Sequence, residues 1–171
     1  SFPMCKGVYP LTEEAAQTKD NWQQNSDERL DCWVKDMPFV MMTPHPIEFS
    51  KQGENILMRF EEDDARRLIH MNASDRPEQS EASSMGFSVG TWEGNTLIVE
   101  TTNISATIFD YNGTPIGEDI RVVERFTLSP DEQRLDHRVT YYDDETFTQP
   151  FDLTKYWLWK PERTVQEWNC Q

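Results

Sequence analysis

The strictest constraint in this chain is a series of short segments in which apolar and polar residues alternate, each closed by turn-forming residues. Ile56, Met58 and Phe60 fall on one face of an extended segment, with Leu57, Arg59 and Glu61 on the other; this is the period-2 pattern of a half-buried strand. Comparable segments follow at 65–71, 86–92, 95–102, 119–128, 134–142, 150–159 and 164–169. Among their separators are Glu93-Gly94-Asn95, Asn112-Gly113, Ser129-Pro130-Asp131 and Lys160-Pro161-Glu162, residues suited to tight-turn backbone conformations. About eight strands with short hairpins and one apolar face each predict a mainly β, antiparallel fold. The expected form is a lipocalin-like (calycin-like) barrel or a strongly curved sheet.

Nothing divides the 171 residues into two apolar cores, and a chain of this length can bury about 70% of its unfolded surface in one. Residues 1–31 read as a helical and irregular extension. Thr12 followed by Glu13 and Glu14 predicts a short capped helix that ends near the polar stretch 21–26. Residues 32–171 read as a single barrel-like domain, which opens with an irregular segment to Pro46 carrying three prolines and a Met/Phe cluster.

With 31 acidic against 16 basic residues, the formal charge of −15 repels phosphate backbones and anionic lipids, so nucleic acid is not an expected partner. Six Trp, five Tyr and nine Phe argue for a packed core in spite of that charge. The runs Glu61-Glu62-Asp63-Asp64 and Asp143-Asp144-Glu145 lack the spacing of a calcium loop and read as solvated turns. No apolar stretch approaches the ~18 residues of a membrane span, so membrane insertion is not expected. Ser1 at the start suggests trimming or removal of an export signal. Cys32 and Cys170 flank the β-region; their pairing would close a loop of about 140 residues, worth up to ~5 kcal/mol, in an oxidising compartment. The alternative is three buried free thiols, and Cys5 has no assigned partner. Asn72, Asn103 and Asn112 each begin an N-x-S/T triplet.

Phosphate-binding glycine loops, nucleophile elbows, C-x-x-C and H-E-x-x-H are absent, and His45, His70 and His137 lie far apart in sequence. Neither a cofactor nor a metal is therefore expected. The informative signal is polar residues on otherwise apolar strand faces. One face of 119–128 reads Ile120, Val122, Glu124, Phe126, Leu128; one of 134–142 reads Leu135, His137, Val139, Tyr141; one of 150–159 reads Phe151, Leu153, Lys155, Trp157, Trp159. If these faces line one interior, Glu124, His137, Tyr141 and Lys155 form a candidate catalytic group, with Phe151, Trp157 and Trp159 as an aromatic binding wall. The competing reading pairs Glu124 with an interior Arg or Lys and makes His137 hydrogen-bonded packing. A second candidate is the barrel-mouth segment with Arg67, His70 and Arg76, suited to an anionic or carbonyl substrate. Its competing reading is a turn stabilised by Asn72 and Asp75, with the arginines offsetting surface acids.

The stretch Met85-Gly86-Phe87-Ser88-Val89-Gly90-Thr91-Trp92-Glu93-Gly94-Asn95-Thr96-Leu97-Ile98-Val99-Glu100-Thr101 resembles a large family of exported bacterial proteins of uncharacterised activity, with the pattern M-G-x-S-x-G-x-W-E-G-D-T-L-V-V-[DE]-T. The resemblance covers about residues 30–171 and continues through Arg67 to His70, Val123 to Phe126, Val139-Thr140 with Asp143, Thr148 to Pro150, Glu167 and Cys170. It implies export, periplasmic or extracellular, and a compact β-rich domain. Asn95 departs from the family's Asp, Phe151 from its Trp, and the stretch from Asn72 to Arg76 is longer than its D-G-R turn. His137 and Lys155 stand where the family is apolar or variable, whereas Glu124 lies within the shared motif.

These readings together predict a cofactor-independent acid–base enzyme of lyase, isomerase or cyclase type. Its substrate would be a hydrophobic or aromatic small molecule in the barrel interior, with His137 moving the proton and Lys155 and Tyr141 stabilising oxyanion charge. The alternative is a non-catalytic periplasmic carrier of such a molecule. A third reading is an interaction module of the cell envelope.

Overall fold

A computed structural model describes residues 9–22, 35–72, 74 and 81–169. They build one curled eight-stranded sheet, a lipocalin-like half-barrel, in the order of the sequence. The strands are β1 (Ile47–Gln52), β2 (Asn55–Phe60), β3 (Arg66–His70), β4 (Phe87–Glu93), β5 (Thr96–Thr102), β6 (Arg121–Leu128), β7 (Arg134–Tyr142) and β8 (Phe151–Leu158). The expected helix is α1 (Glu13–Asn21), where the Thr12 hydroxyl accepts from the Ala15 N–H and two glutamates occupy the first turn.

Three features differ from the sequence reading. First, β1 is an additional strand. It pairs with β2 through a two-residue turn at Gly53 and Glu54, with Gly53 at φ +62°. Second, β3 and β4 run parallel, with Ile69 opposite Ser88 and His70 opposite Val89. All other neighbours are antiparallel. Third, 164–169 is no strand: the N–H groups of Gln166 and Trp168 donate to the carboxylates of Glu61 and Asp64 instead of entering a ladder.

The acidic turns also differ from expectation. Glu62 is buried and pairs with Lys35 at 2.8 Å, while Asp63 accepts the Lys35 N–H at 2.9 Å. Asp143 is buried too, accepting the N–H groups of Gly117 and Thr146 at 2.9 and 3.1 Å. In both turns, backbone or ammonium donors replace water around the carboxylates, and burial without such partners would be costly.

The concave face carries Met58, Ile69, Val99, Val122, Phe126, Val139 and Tyr141, all buried. One end of it is plugged. Leu11 bridges to Phe147, and the Thr148 N–H donates to the Pro10 carbonyl at 2.6 Å, which brings Tyr9 against Phe109 (ring centroids 5.2 Å). Phe109 in turn packs on Tyr141 (4.8 Å) and Phe147 on Phe151 (4.6 Å), so edge-to-face aromatics fill this end. The segment containing Met37, Phe39, Val40, Met41 and Met42 is buried as part of the same core. Gly90 admits Ile69 and Met71 to the concave face, since a Cβ there would lie 2.8 Å from Ile69 Cγ2 and 2.7 Å from Met71 Sδ. Farther along, Phe49 of β1 meets Phe126 of β6 edge-on at 5.7 Å, so the sheet curls enough for β1 to face β6. Cys5, Cys32 and Cys170, and with them the expected disulfide, lie outside the described residues.

Candidate functional site

Strand register decides which polar side chains meet. Val99, Glu124, Val139 and Leu153 occupy one row across β5 to β8; Leu97, Phe126, His137 and Lys155 occupy the next. Directly opposed residues on one face have Cβ atoms about 5 Å apart. Glu124 and His137 are therefore diagonal neighbours, and His137 and Lys155 are direct ones.

Arg67 completes the group from β3. It lies opposite Met58 and shares the concave side with Ile69, and its side chain is 1% exposed. One Nη2 hydrogen goes to Glu124 Oε2 in a buried ion pair and another contact reaches Thr101 Oγ1 at 2.7 Å. Nε donates to Ser88 Oγ at 2.9 Å, and the Ser88 and Thr101 hydroxyls bond each other at 2.9 Å. The remaining Glu124 oxygen, Oε1, lies 3.0 Å from His137 Nε2. This corrects the placement of Arg67 at a barrel mouth: it is an interior residue whose charge is matched by Glu124. His70, the next residue but two, has the opposite parity and stacks on Phe87 (4.5 Å, 17°) on the convex side. Arg67 and His70 therefore cannot act together, and Arg76 lies outside the described residues.

The electrostatics follow from this geometry. Burial pushes the Glu124 carboxyl up, but the Arg67 charge and the His137 hydrogen bond outweigh it and hold the group at about 2. An ionised carboxylate only accepts, so Nε2 of His137 carries the proton and Nδ1 presents a lone pair. Nδ1 is buried and has no hydrogen-bond partner among the described residues. Burial keeps the imidazole pKa below its ordinary 6.5 despite the pull of Glu124. At neutral pH the ring is therefore an uncharged base with its tautomer fixed by a carboxylate. It stacks on Phe126 (4.7 Å, 28°) and tilts against Trp157 (5.3 Å).

Lys155 has no ion pair or hydrogen bond among the described residues; its Nζ sits 4.1 Å from the centre of the Trp157 ring. Burial lowers its ammonium to about 7, only partly opposed by Glu124. Tyr141 is one row farther toward the plugged end than Glu124, packed between Phe109 and Phe151 (4.8 and 5.2 Å). Its burial keeps the phenol protonated well above pH 10, and no hydrogen bond ties it to His137 or Lys155 among the described residues. Phe151 and Trp157 are half-buried on the concave face. Trp159 is not on that face: β8 ends at Leu158, and the indole is 62% exposed. Sequence reasoning passed over Ser88 and Thr101, whose signal was a hydroxyl at concave-face parity in otherwise apolar strands. No family model, curated protein or solved structure matches this chain.

The three depressed pKa values of this cluster give stability a pH dependence. Glu124 contributes fully above its ordinary 4.5, and that contribution is lost as pH falls through about 2. His137, also depressed, contributes above its ordinary 6.5 and loses that contribution on acidification. Both slopes have the same sign. Arg67→Met should cost about 3–5 kcal/mol at pH 7 by leaving a buried charge unpaired, and less at pH 3, where the unfolded state no longer favours the ionised carboxyl. Lys155→Met should instead stabilise, by about 1–2 kcal/mol at pH 6 after discounting for partial exposure, with the gain vanishing toward pH 10.5. Urea denaturation of both variants across pH checks this; a pH-independent loss for Arg67→Met would contradict it.

Proposed function

We propose that this protein is a cofactor-independent acid–base enzyme, of lyase, isomerase or cyclase type, that acts on a hydrophobic or aromatic small molecule against the concave face. The observation that carries the reading is the buried Nδ1 of a histidine, unpartnered among the described residues, whose other nitrogen is held by an ionised carboxylate. Such an imidazole is oriented, neutral near pH 7 and ready to accept a proton, which is what general-base catalysis requires. Glu124 and Arg67 act as positioning residues: one fixes the tautomer and the other keeps the first ionised. Lys155, with a pKa of about 7, returns a proton or stabilises developing oxyanion charge. Phe126, Trp157 and Phe151 supply apolar wall, and Tyr141 belongs to that wall.

Access follows from topology. Among the described residues β8 has a strand neighbour on one side only, so Trp157 and Lys155, half-buried upon it, can move aside without breaking a central ladder. His137 itself is 2% exposed, and that favours a second reading, a non-catalytic periplasmic carrier whose ligand takes the place of the Trp157 side chain. Mass spectrometry of ligand extracted before and after incubation separates the two, because a carrier returns its ligand chemically unchanged.

Export is part of the proposal and rests on the family resemblance together with the flanking cysteines. Peptide mapping without reductant should find Cys32 joined to Cys170; two free thiols would remove that support.

Proton transfer is tested with 1-phenyl-2-nitroethane, an aromatic carbon acid, in D2O. The protein should accelerate exchange at the nitro-bearing carbon, and His137→Gln, which keeps an N–H for Glu124, should reduce the acceleration by about 10²- to 10⁴-fold. Unfolding of the variant should stay within about 1 kcal/mol of the parent. Exchange unaffected by the substitution would refute a base at His137.

A further inference from the structure

We infer that Lys155 is a nucleophile that captures an aromatic aldehyde or ketone as an imine, with His137 moving the protons. The inference deepens the proposed acid–base reading and rests on it for the role of His137. It starts from the contrast among the lysines. Lys35 is clamped by Glu62 and Asp63 at 2.8 and 3.4 Å, Lys19 sits over the Tyr9 ring at 5.3 Å, and Lys51 is exposed. Among the described residues Lys155 has no anionic partner, although it is set in a row with Leu97 and Phe126, and its Nζ rests 4.1 Å from the Trp157 ring centre. An amine so placed is easily made neutral, and burial brings its pKa to about 7.

The second element is the base beside it. His137 is the directly opposed residue on β7, and its unpartnered Nδ1 is the one acceptor on the imidazole left open by Glu124. The third is the ring surface. Phe126 and Trp157 lie nearly parallel (19°, 6.4 Å) and both pack on His137, so a flat aromatic body that takes the place of the Trp157 side chain can stack on this cluster with its carbonyl carbon at Nζ.

The chemistry balances without a further reactant. The neutral Lys155 amine attacks the carbonyl carbon; the new C–N bond forms as the C=O π pair passes to oxygen, and His137 Nδ1 takes the first proton from nitrogen and delivers it to that oxygen to give the carbinolamine. The nitrogen lone pair then forms the C=N bond as the C–O bond breaks, and His137 moves the second nitrogen proton to the departing hydroxyl, which leaves as water. The products are a lysine imine and one water. Protonated, the imine draws electrons from the adjacent carbon, so the same histidine can remove a proton there and generate an enamine. Hydrolysis reverses the capture.

The probe is phenylacetaldehyde with sodium cyanoborohydride, added to the intact protein at pH 7 and read by peptide mapping. The fastest reduced lysine adduct should form at Lys155, at least tenfold faster than at Lys19, Lys35, Lys51 or Lys160, with a rate that rises through a midpoint near pH 7. Lys155→Arg, which keeps the charge and stem but cannot form an imine, should remove that adduct and leave the slow labelling of the others. Labelling of Lys155 no faster than that of Lys51 in the unmodified sequence would overturn the inference, whatever the variant does. The two proposals fail separately. Loss of selective labelling while 1-phenyl-2-nitroethane still exchanges through His137 removes the imine and leaves the base. Selective labelling without that exchange keeps Lys155 as the capturing amine and removes His137 as the proton carrier.

Discussion

The buried ion pair between Arg67 and Glu124 is the interaction on which the rest of this structure depends. Neither charge has access to water, and removing both from it costs several kcal/mol per ion before any attraction is counted. The cost is offset by further hydrogen bonds around the pair: Ser88 and Thr101 accept two more guanidinium hydrogens, Nη1 meets Met58 Sδ at 4.0 Å, and His137 bonds the second carboxylate oxygen. These five side chains come from β3, β4, β5, β6 and β7, so one polar network fixes the mutual register of five consecutive strands. An apolar cluster alone would tolerate slippage that this network does not.

From that pair the electrostatics spread outward in steps. Arg67 keeps Glu124 ionised, Glu124 fixes the His137 tautomer, and burial keeps the imidazole neutral. One residue farther toward the free edge, Lys155 has no counter-ion among the described residues and loses its proton near neutrality. The aromatic plug of Tyr9, Phe109, Phe147 and Phe151 seals the opposite end. Order is therefore greatest where charge is matched, and chemistry is available where the network ends at β8.

Much of this was legible in strand alternation. The faces of β6, β7 and β8 placed Glu124, His137, Tyr141 and Lys155 on one concave surface, and an interior arginine for Glu124 was among the alternatives. What escaped did so for physical reasons. β1 begins directly after the irregular segment that ends at Pro46, and Ile47 and Phe49 alone give it only two apolar positions of alternation. The 164–169 segment alternates like a strand, but side-chain carboxylates capture its N–H groups, and alternation is blind to that competition. Arg67 read as part of a barrel-mouth segment with His70 and Arg76, although it shares parity with buried Ile69 and only Arg66 before it faces solvent. Acidic turns buried by Lys35 or by backbone donors cannot be told from solvated ones without knowing which donors lie above them. Trp159 continued the β8 pattern by one residue past the point where the ladder stops.

The central claim is that an ionised Glu124 holds His137 as a neutral ring protonated at Nε2, with Nδ1 open. Nitrogen-15 NMR of the histidine side chains at pH 7 reads this directly. The account predicts that His137 shows a protonated Nε2 and an unprotonated Nδ1 with the shift of a bare lone pair, and that Arg67→Met, if it folds, loses this preference. A doubly protonated His137 at that pH, or a proton resident on Nδ1, would contradict it.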